Sequence, residues 1–113
     1  MPANAVSRRL EVIKTKGALR SVDVAEVLSV EPATVSRWNL GKAFPHPGTQ
    51  KQLLDLEFIV YKLSDLYSPQ EARMWLFSRQ RLLGDRTPAQ LIGEGHADEV
   101  LALVNRLRDG VFT

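Results

Sequence analysis

Arg37 carries the clearest chemical opportunity in this 113-residue chain. It lies in the stretch Val24 to Lys42, VAEVLSVEPATVSRWNLGK, whose spacing predicts two short helices joined by a tight turn. Pro32 can open the second helix, where a missing N–H costs nothing. Val35 and Trp38, three residues apart, share one side of that helix and can pack back onto the first. Ala33, Ser36 and Arg37 then face outward, where a guanidinium can pair with a guanine edge between small neighbours. Thr34 and Lys42 flank them as candidate phosphate contacts, and Gly41 supplies a helix stop. This is a helix-turn-helix pattern, and nucleic acid is the first partner to consider. Two residues depart from it. Ser29 stands where glycine would ease a positive φ, and Glu31 stands where serine or threonine would cap. A helical corner with no nucleic-acid role can use the same arrangement.

Other chemistry finds little support. The chain has no cysteine, so it has neither disulfides nor a thiolate metal site. His46 and His96 lie far apart in loop-like contexts, without the spacing of metal ligands. Gly93-Glu94-Gly95 follows a short helix rather than a strand, unlike a phosphate loop. Asp65, Glu71, Asp98 and Glu99 sit where helix caps and exposed faces account for them, and no Ser-His-Asp arrangement suggests itself. The expectation is a non-enzyme with no cofactor and no metal.

Elements that would position these residues follow from apolar spacing. Val6, Leu10 and Ile13 predict a first helix over Ala5 to Lys16, ended by Gly17. Ser21 is placed to cap a second helix, and the recognition-type helix spans Pro32 to Leu40. Phe44 to Gly48, FPHPG, reads as a hinge. A fourth helix from Thr49 to about Tyr67 is apolar on most of its circumference, so something covers it from several sides. Either the chain's own core does so, or a second copy meets Leu53, Leu56, Phe58 and Val60. Ser68-Pro69-Gln70-Glu71 and Thr87-Pro88-Ala89-Gln90 are strong helix starts. Between them, residues 78–86 form a loop, and Arg73, Arg79, Arg81 and Arg86 gather around it. They suit an acidic surface or phosphates, or they are solvated charge. A last helix over Ala97 to Arg108 puts Val100, Val104 and Leu107 on one face, and Gly110 stops it. Val111-Phe112-Thr113 form an apolar tail, in which Phe112 can anchor in a partner's pocket or fold back on the core.

The division expected is therefore a helix-turn-helix bundle over 1–47, a central core or dimerisation helix over 48–68, and a small helical domain over 69–113, all-α throughout. Residues 1–48 hold seven Lys and Arg against four Asp and Glu, and residues 49–113 hold eight against nine. The helix-turn-helix half is thus the basic half, as phosphate binding needs. That excess is small for one copy, and pairing would double it. The N-terminal MPANAVSRRL has no apolar leader core, and no run is long enough to span a bilayer, so the cytoplasm is the expected compartment.

The second half also resembles the toxin-binding domain of the Xre/MbcA/ParS antitoxin family. The resemblance rests on Met74-Trp75-Leu76, Leu82-Leu83-Gly84 and Pro88, then on Gly95, Val100-Leu101, Val104, Leu107 and Gly110-Val111-Phe112. It covers residues 69–113, and the order of helix-turn-helix first also fits. The resemblance implies a type II antitoxin that neutralises a cognate RES-domain, NAD-consuming toxin, dimerises, and binds its own operon's promoter. It places Leu107, Gly110, Val111, Phe112 and Thr113 against the toxin's cleft, with Arg79 and Arg81 as candidate flanking contacts. A helix-turn-helix regulator without a toxin partner, or a protein-binding adaptor that has lost DNA, would share the first half of the pattern.

Overall fold

A computed structural model describes residues 4–110. Among them are seven α-helices: α1 (Ala5–Gly17), α2 (Ser21–Leu28), α3 (Pro32–Asn39), α4 (Pro47–Leu63), α5 (Pro69–Leu76), α6 (Pro88–Gly93) and α7 (Ala97–Arg108). A 3-10 turn, Arg81–Leu83, lies between α5 and α6. The single extended pairing among the described residues is the bridge between Gln80 and Arg86. The fold is all-helical, as the periodicity predicts. Val111, Phe112 and Thr113 lie outside the described residues.

The helix starts follow local chemistry. Asn4 Oδ1 accepts from the Ser7 N–H at 2.8 Å, and Ser7 Oγ accepts from the Asn4 N–H at 2.9 Å, closing a reciprocal cap on α1. Ser68 with Glu71 and Thr87 with Gln90 cap α5 and α6 in the same way. The cap of α2 differs from the expectation. Ser21 is already helical, Arg20 occupies the cap position, and Asp23 Oδ2 reaches back to accept the Arg20 N–H at 2.9 Å. The fourth helix begins two residues earlier than its pattern suggests, with Pro47 as its first residue, and it ends at Leu63 rather than Tyr67. The end of α1 also differs. The left-handed residue is Ala18, at φ +54°. Gly17 stays helical, and a Cβ there would lie 2.9 Å from Val60 Cγ1; it is a point of close helix crossing.

One apolar cluster runs through the whole described chain. α4 packs on α1, α6 and α7, α1 also meets α5, and α2 meets α6. Leu53, Leu56, Ile59, Val60 and Leu63 are all at most 1% exposed. Of the two alternatives for Leu53, Leu56 and Val60, the chain's own core or a second copy, the structure shows the core taking up all three side chains. Of that set only Phe58 is exposed.

Two contacts tie α2 to the C-terminal half. A Cβ on Gly93 in α6 would lie 2.4 Å from the Val27 carbonyl oxygen of α2, so the backbones touch there. Asp23 of α2 is buried, and Arg73 Nη1 of α5 lies 2.6 Å from its Oδ2. Burial alone would raise the Asp23 carboxyl. The Arg73 guanidinium and the Arg20 backbone N–H outweigh it and hold the group below its ordinary value of 3.8.

Gly93→Ala should destabilise the fold by about 1–3 kcal/mol, since the obstructing atom is backbone. Gly48→Ala, at a helical position with open space around it, should be neutral or stabilising by about 0.4–1 kcal/mol. Urea midpoints of the two variants check both. Asp23→Asn should cost about 1–2 kcal/mol at neutral pH, less than a fully buried pair because Arg73 is a third exposed. A depressed carboxyl stabilises above its unfolded pKa and loses that stabilisation as pH falls through its folded pKa. Thermal melts of wild type and Asp23→Asn should therefore differ at pH 7 and converge at acid pH, below the usual carboxylate range.

Candidate functional site

The expected recognition residues sit on the outer side of α3. Val35 and Trp38 are buried against α2, at 0% and 3% exposure, while Ala33, Ser36 and Arg37 are exposed. Thr34 is half-buried, and its hydroxyl accepts a hydrogen bond from Arg37 Nη2 at 3.1 Å. Lys42 is exposed just beyond Gly41, whose φ is +74°. All five expected residues, Ala33, Thr34, Ser36, Arg37 and Lys42, therefore belong to one segment and one end of the fold. The turn takes the form that the sequence strains to provide. Ser29 adopts φ +57°, the left-handed conformation that glycine would reach more cheaply. Glu31 occupies the cap position and forms no side-chain cap.

The other half presents an apolar groove of about 370 Å³, lined by Tyr67, Trp75, Gln80, Arg81, Leu82, Leu103 and Leu107. α5 supplies Trp75, α7 supplies Leu103 and Leu107, and the loop between α5 and α6 supplies the lip. That loop is held by its own backbone. The Gln80 N–H donates to the Arg86 carbonyl at 3.0 Å, and the Asp85 N–H donates to the Gln80 carbonyl at 3.0 Å. Gln80 Nε2 donates to the Trp75 carbonyl at 3.2 Å, fastening the loop to α5. Gly84 and Asp85 take positive φ to close it. Leu82 is thereby held outward at 63% exposure, and Met74, on the neighbouring rim, is 68% exposed. Large apolar side chains kept in water beside a groove mark an interaction surface.

The arginines around this loop separate into two kinds. Arg73 turns to Asp23, with its guanidinium also over the Phe77 ring, and Arg86 pairs with Glu94. Arg79 and Arg81 are exposed and form no ion pair among the described residues. The structure thus brings Arg81 and Leu107 into one groove, while Arg79 is exposed two residues before Arg81 and does not line it. Gly110, at φ +71°, is exposed three residues beyond Leu107, and the expected contacts Val111, Phe112 and Thr113 fall outside the described residues. Sequence reasoning passed over Met74 and Leu82 as contacts. Trp75 is only half-buried. The missed signal was Leu82-Leu83 in an arginine-rich loop, where one leucine of the pair must face out.

Among the described residues no three His, Asp or Glu side chains are grouped to hold a metal ion. His96 Nδ1 lies 3.6 Å from a Glu99 carboxylate oxygen, and both are exposed. No described helix is long and apolar enough to cross a membrane.

This groove falls within a stretch of the chain that known proteins share. Residues 63–110 match the model of the antitoxin Xre/MbcA/ParS C-terminal toxin-binding domain, which contains every residue that lines it. The chain is 32% identical to the mycobacterial cidal antitoxin MbcA of Mycobacterium tuberculosis over 90 residues, 80% of each protein. It is 28% identical to the probable mycobacterial cidal antitoxin Rv3188 of the same organism, over 94% of this chain and 90% of that protein. Among solved structures it matches a chain of the crystal structure of the M. tuberculosis MbcT–MbcA toxin–antitoxin complex, with a TM-score of 0.85 and 30% identity. That match covers 97% of this chain and 99% of the other. With its helical order, its C-terminal groove and its near full-length relatives in agreement, the chain belongs to the Xre/MbcA/ParS family of antitoxins.

Proposed function

We propose that this chain is an antitoxin that binds and neutralises a cognate toxin, of the RES-domain, NAD-consuming kind, through its α5–α7 face. The observation that carries this reading is the likeness over 97% of the chain to a protein of a solved toxin–antitoxin complex. The groove supports it physically. Trp75, Leu82 and Leu107 offer apolar anchor surface, and aromatic residues bury much area for little lost entropy. Arg79 and Arg81 suit an acidic rim on the partner. In this reading Leu107 and Gly110 lead the residues after them across the toxin's cleft, so that inhibition is steric and no catalysis by this chain is involved. The antitoxin acts in the cytoplasm, as a homodimer within a larger complex.

The second activity proposed is repression of its own operon through α3. Its support is the outward set Ala33, Ser36 and Arg37, with Thr34 and Lys42 toward the phosphates, on the more basic half of the chain. Arg37 would read a guanine edge. A helix-turn-helix regulator with no toxin partner keeps this activity and lacks the first.

The deciding experiment expresses the adjacent reading frame in a heterologous bacterium with and without this chain, following growth and cellular NAD. Rescue of both, with co-purification of the two proteins, is expected; a harmless neighbour, or one this chain fails to rescue, removes the toxin reading. Leu82→Glu should weaken toxin binding about tenfold or more, by placing a charge at an apolar contact, and leave promoter binding unchanged. Arg37→Ala should do the reverse, losing about 1–3 kcal/mol of specific promoter binding while neutralisation persists. Calorimetry with toxin and a fluorescence-anisotropy titration with promoter DNA separate the two.

A further inference from the structure

The chain has no cysteine, and its sulfur sits in two methionines, Met1 and Met74. Met74 is the one among the described residues, and at 68% it is the most exposed large apolar side chain there. α5 fixes that position. Ala72 and Leu76 of the same helix are buried, and Met74, two residues from each, lies about 200° around the helix axis on the solvent side. The backbone beneath it is held, since Ser78 Oγ donates to the Met74 carbonyl at 2.6 Å. Met74 borders a shallow cleft of about 240 Å³ with Tyr67, Glu71, Trp75, Ser78 and Gln80. Tyr67, Trp75 and Gln80 also line the 370 Å³ groove. Cleft and groove are therefore two sides of one ridge, and Met74 belongs to the same continuous face as Leu82 and Leu107. The core takes nothing from Met74. An unbranched, polarizable thioether in water beside a groove suits adaptation to a partner's surface.

We propose, resting on the antitoxin function already proposed, that Met74 is a reversible oxidation site through which hydrogen peroxide loosens this chain's hold on its toxin. A lone pair of the thioether sulfur attacks one peroxide oxygen. The O–O bond breaks, an S=O bond forms, and the second oxygen leaves as water. The sulfur is oxidised by two electrons and the peroxide is reduced by two. The sulfoxide is polar and chiral where the thioether was flexible and apolar. A partner packed over it must strip water from the new oxygen, which is unfavourable without a replacing hydrogen bond. The surroundings are poorly suited to supply one. Gln80 Nε2 and Ser78 Oγ already donate to backbone carbonyls, and the Glu71 carboxylate, which accepts the Ser68 N–H, repels a second negative oxygen. Because Met74 lies outside the core, the change alters the surface and leaves the fold intact. A methionine sulfoxide reductase reverses it, removing the oxygen as water at the expense of two thiols, which become a disulfide. Toxin seated on this face shields the sulfur, so peroxide acts on the free chain.

The test treats the free chain with hydrogen peroxide, removes the excess with catalase, and titrates the product calorimetrically with the protein of the adjacent reading frame. Peptide mapping by mass spectrometry should place one added oxygen on Met74, with helix content by circular dichroism unchanged. The oxidised chain is expected to bind about tenfold more weakly than the untreated one, and reductases for both sulfoxide epimers, with a thiol, should restore the affinity. Met74→Leu keeps the apolar bulk without the sulfur; whatever its own affinity, the same peroxide treatment should not change it. That variant separates Met74 from Met1 and from the tryptophans. A second reading needs no variant: in the toxin-saturated complex, Met74 should oxidise about tenfold more slowly than in the free chain. Equal binding before and after oxidation of Met74, an equal loss in Met74→Leu, a loss of helix content on oxidation, or an unshielded Met74 in the complex would each overturn the proposal. An untreated chain that does not bind the toxin at all removes the antitoxin reading and this one with it, so the two failures are told apart by the untreated titration.

Discussion

The burial of α4 is the constraint on which the rest of the structure depends. A chain of this length has few residues to spare for a core, and α4 supplies five side chains that are essentially inaccessible. Burying each contributes about 1.5–3 kcal/mol relative to leaving it in water, which no other element matches here. The helix can be covered so completely because its neighbours come close. Gly17 lets α1 cross against Val60, and Gln52 Nε2 donates to the Gly93 carbonyl at 3.0 Å, fixing the end of α6 beside it. The helices before and after α4 are thereby parts of one packed body, joined in a single apolar cluster.

That arrangement determines what the two surfaces can be. α3 packs chiefly on α2 and α1, so its outer residues are positioned by helices that themselves lean on α4, α5 and α6. The groove of the C-terminal half is built the other way, from a loop laid across helix ends. Its lip residue, Leu82, is held outward by backbone hydrogen bonds and by two positive-φ residues, Gly84 and Asp85. One surface is a rigid helix face and the other a fastened loop. The first suits insertion in a groove of fixed width. The second suits a protein surface whose shape must be matched locally.

Much of this was legible in the sequence because local chemistry agreed with the final packing. Ser68-Pro69-Gln70-Glu71 and Thr87-Pro88-Ala89-Gln90 announce their helices because the cap residues bond to their own turn, whatever surrounds them. Val35 and Trp38 announce the buried side of α3 by spacing alone. The failures share a cause. Whether an apolar residue of α4 faces the core or a partner depends on which neighbours exist, and Leu53, Leu56 and Val60 are indistinguishable in composition from Leu54 and Phe58. Arg73 could not be told from Arg79 and Arg81 for the same reason, since only the fold brings it to Asp23. Gly17 and Gly93 look like helix stops, yet what they serve is close contact with Val60 and with the Val27 carbonyl, far away in sequence.

The exposed stripe of α4 follows from the same logic and explains an apparent excess. A helix that needed only to fill one core would carry polar residues on its outer side, as α7 does with Asp98, Glu99 and Arg106. In α4 the outer positions Leu54, Phe58 and Tyr61 are large and apolar, and two of their rings are shielded only by lysine side chains. Lysine over an aromatic face is a modest attraction in water, on the order of 0.5–1 kcal/mol, and its flexible stem is readily displaced. Exposed apolar area of this kind is a liability for a small protein unless something covers it.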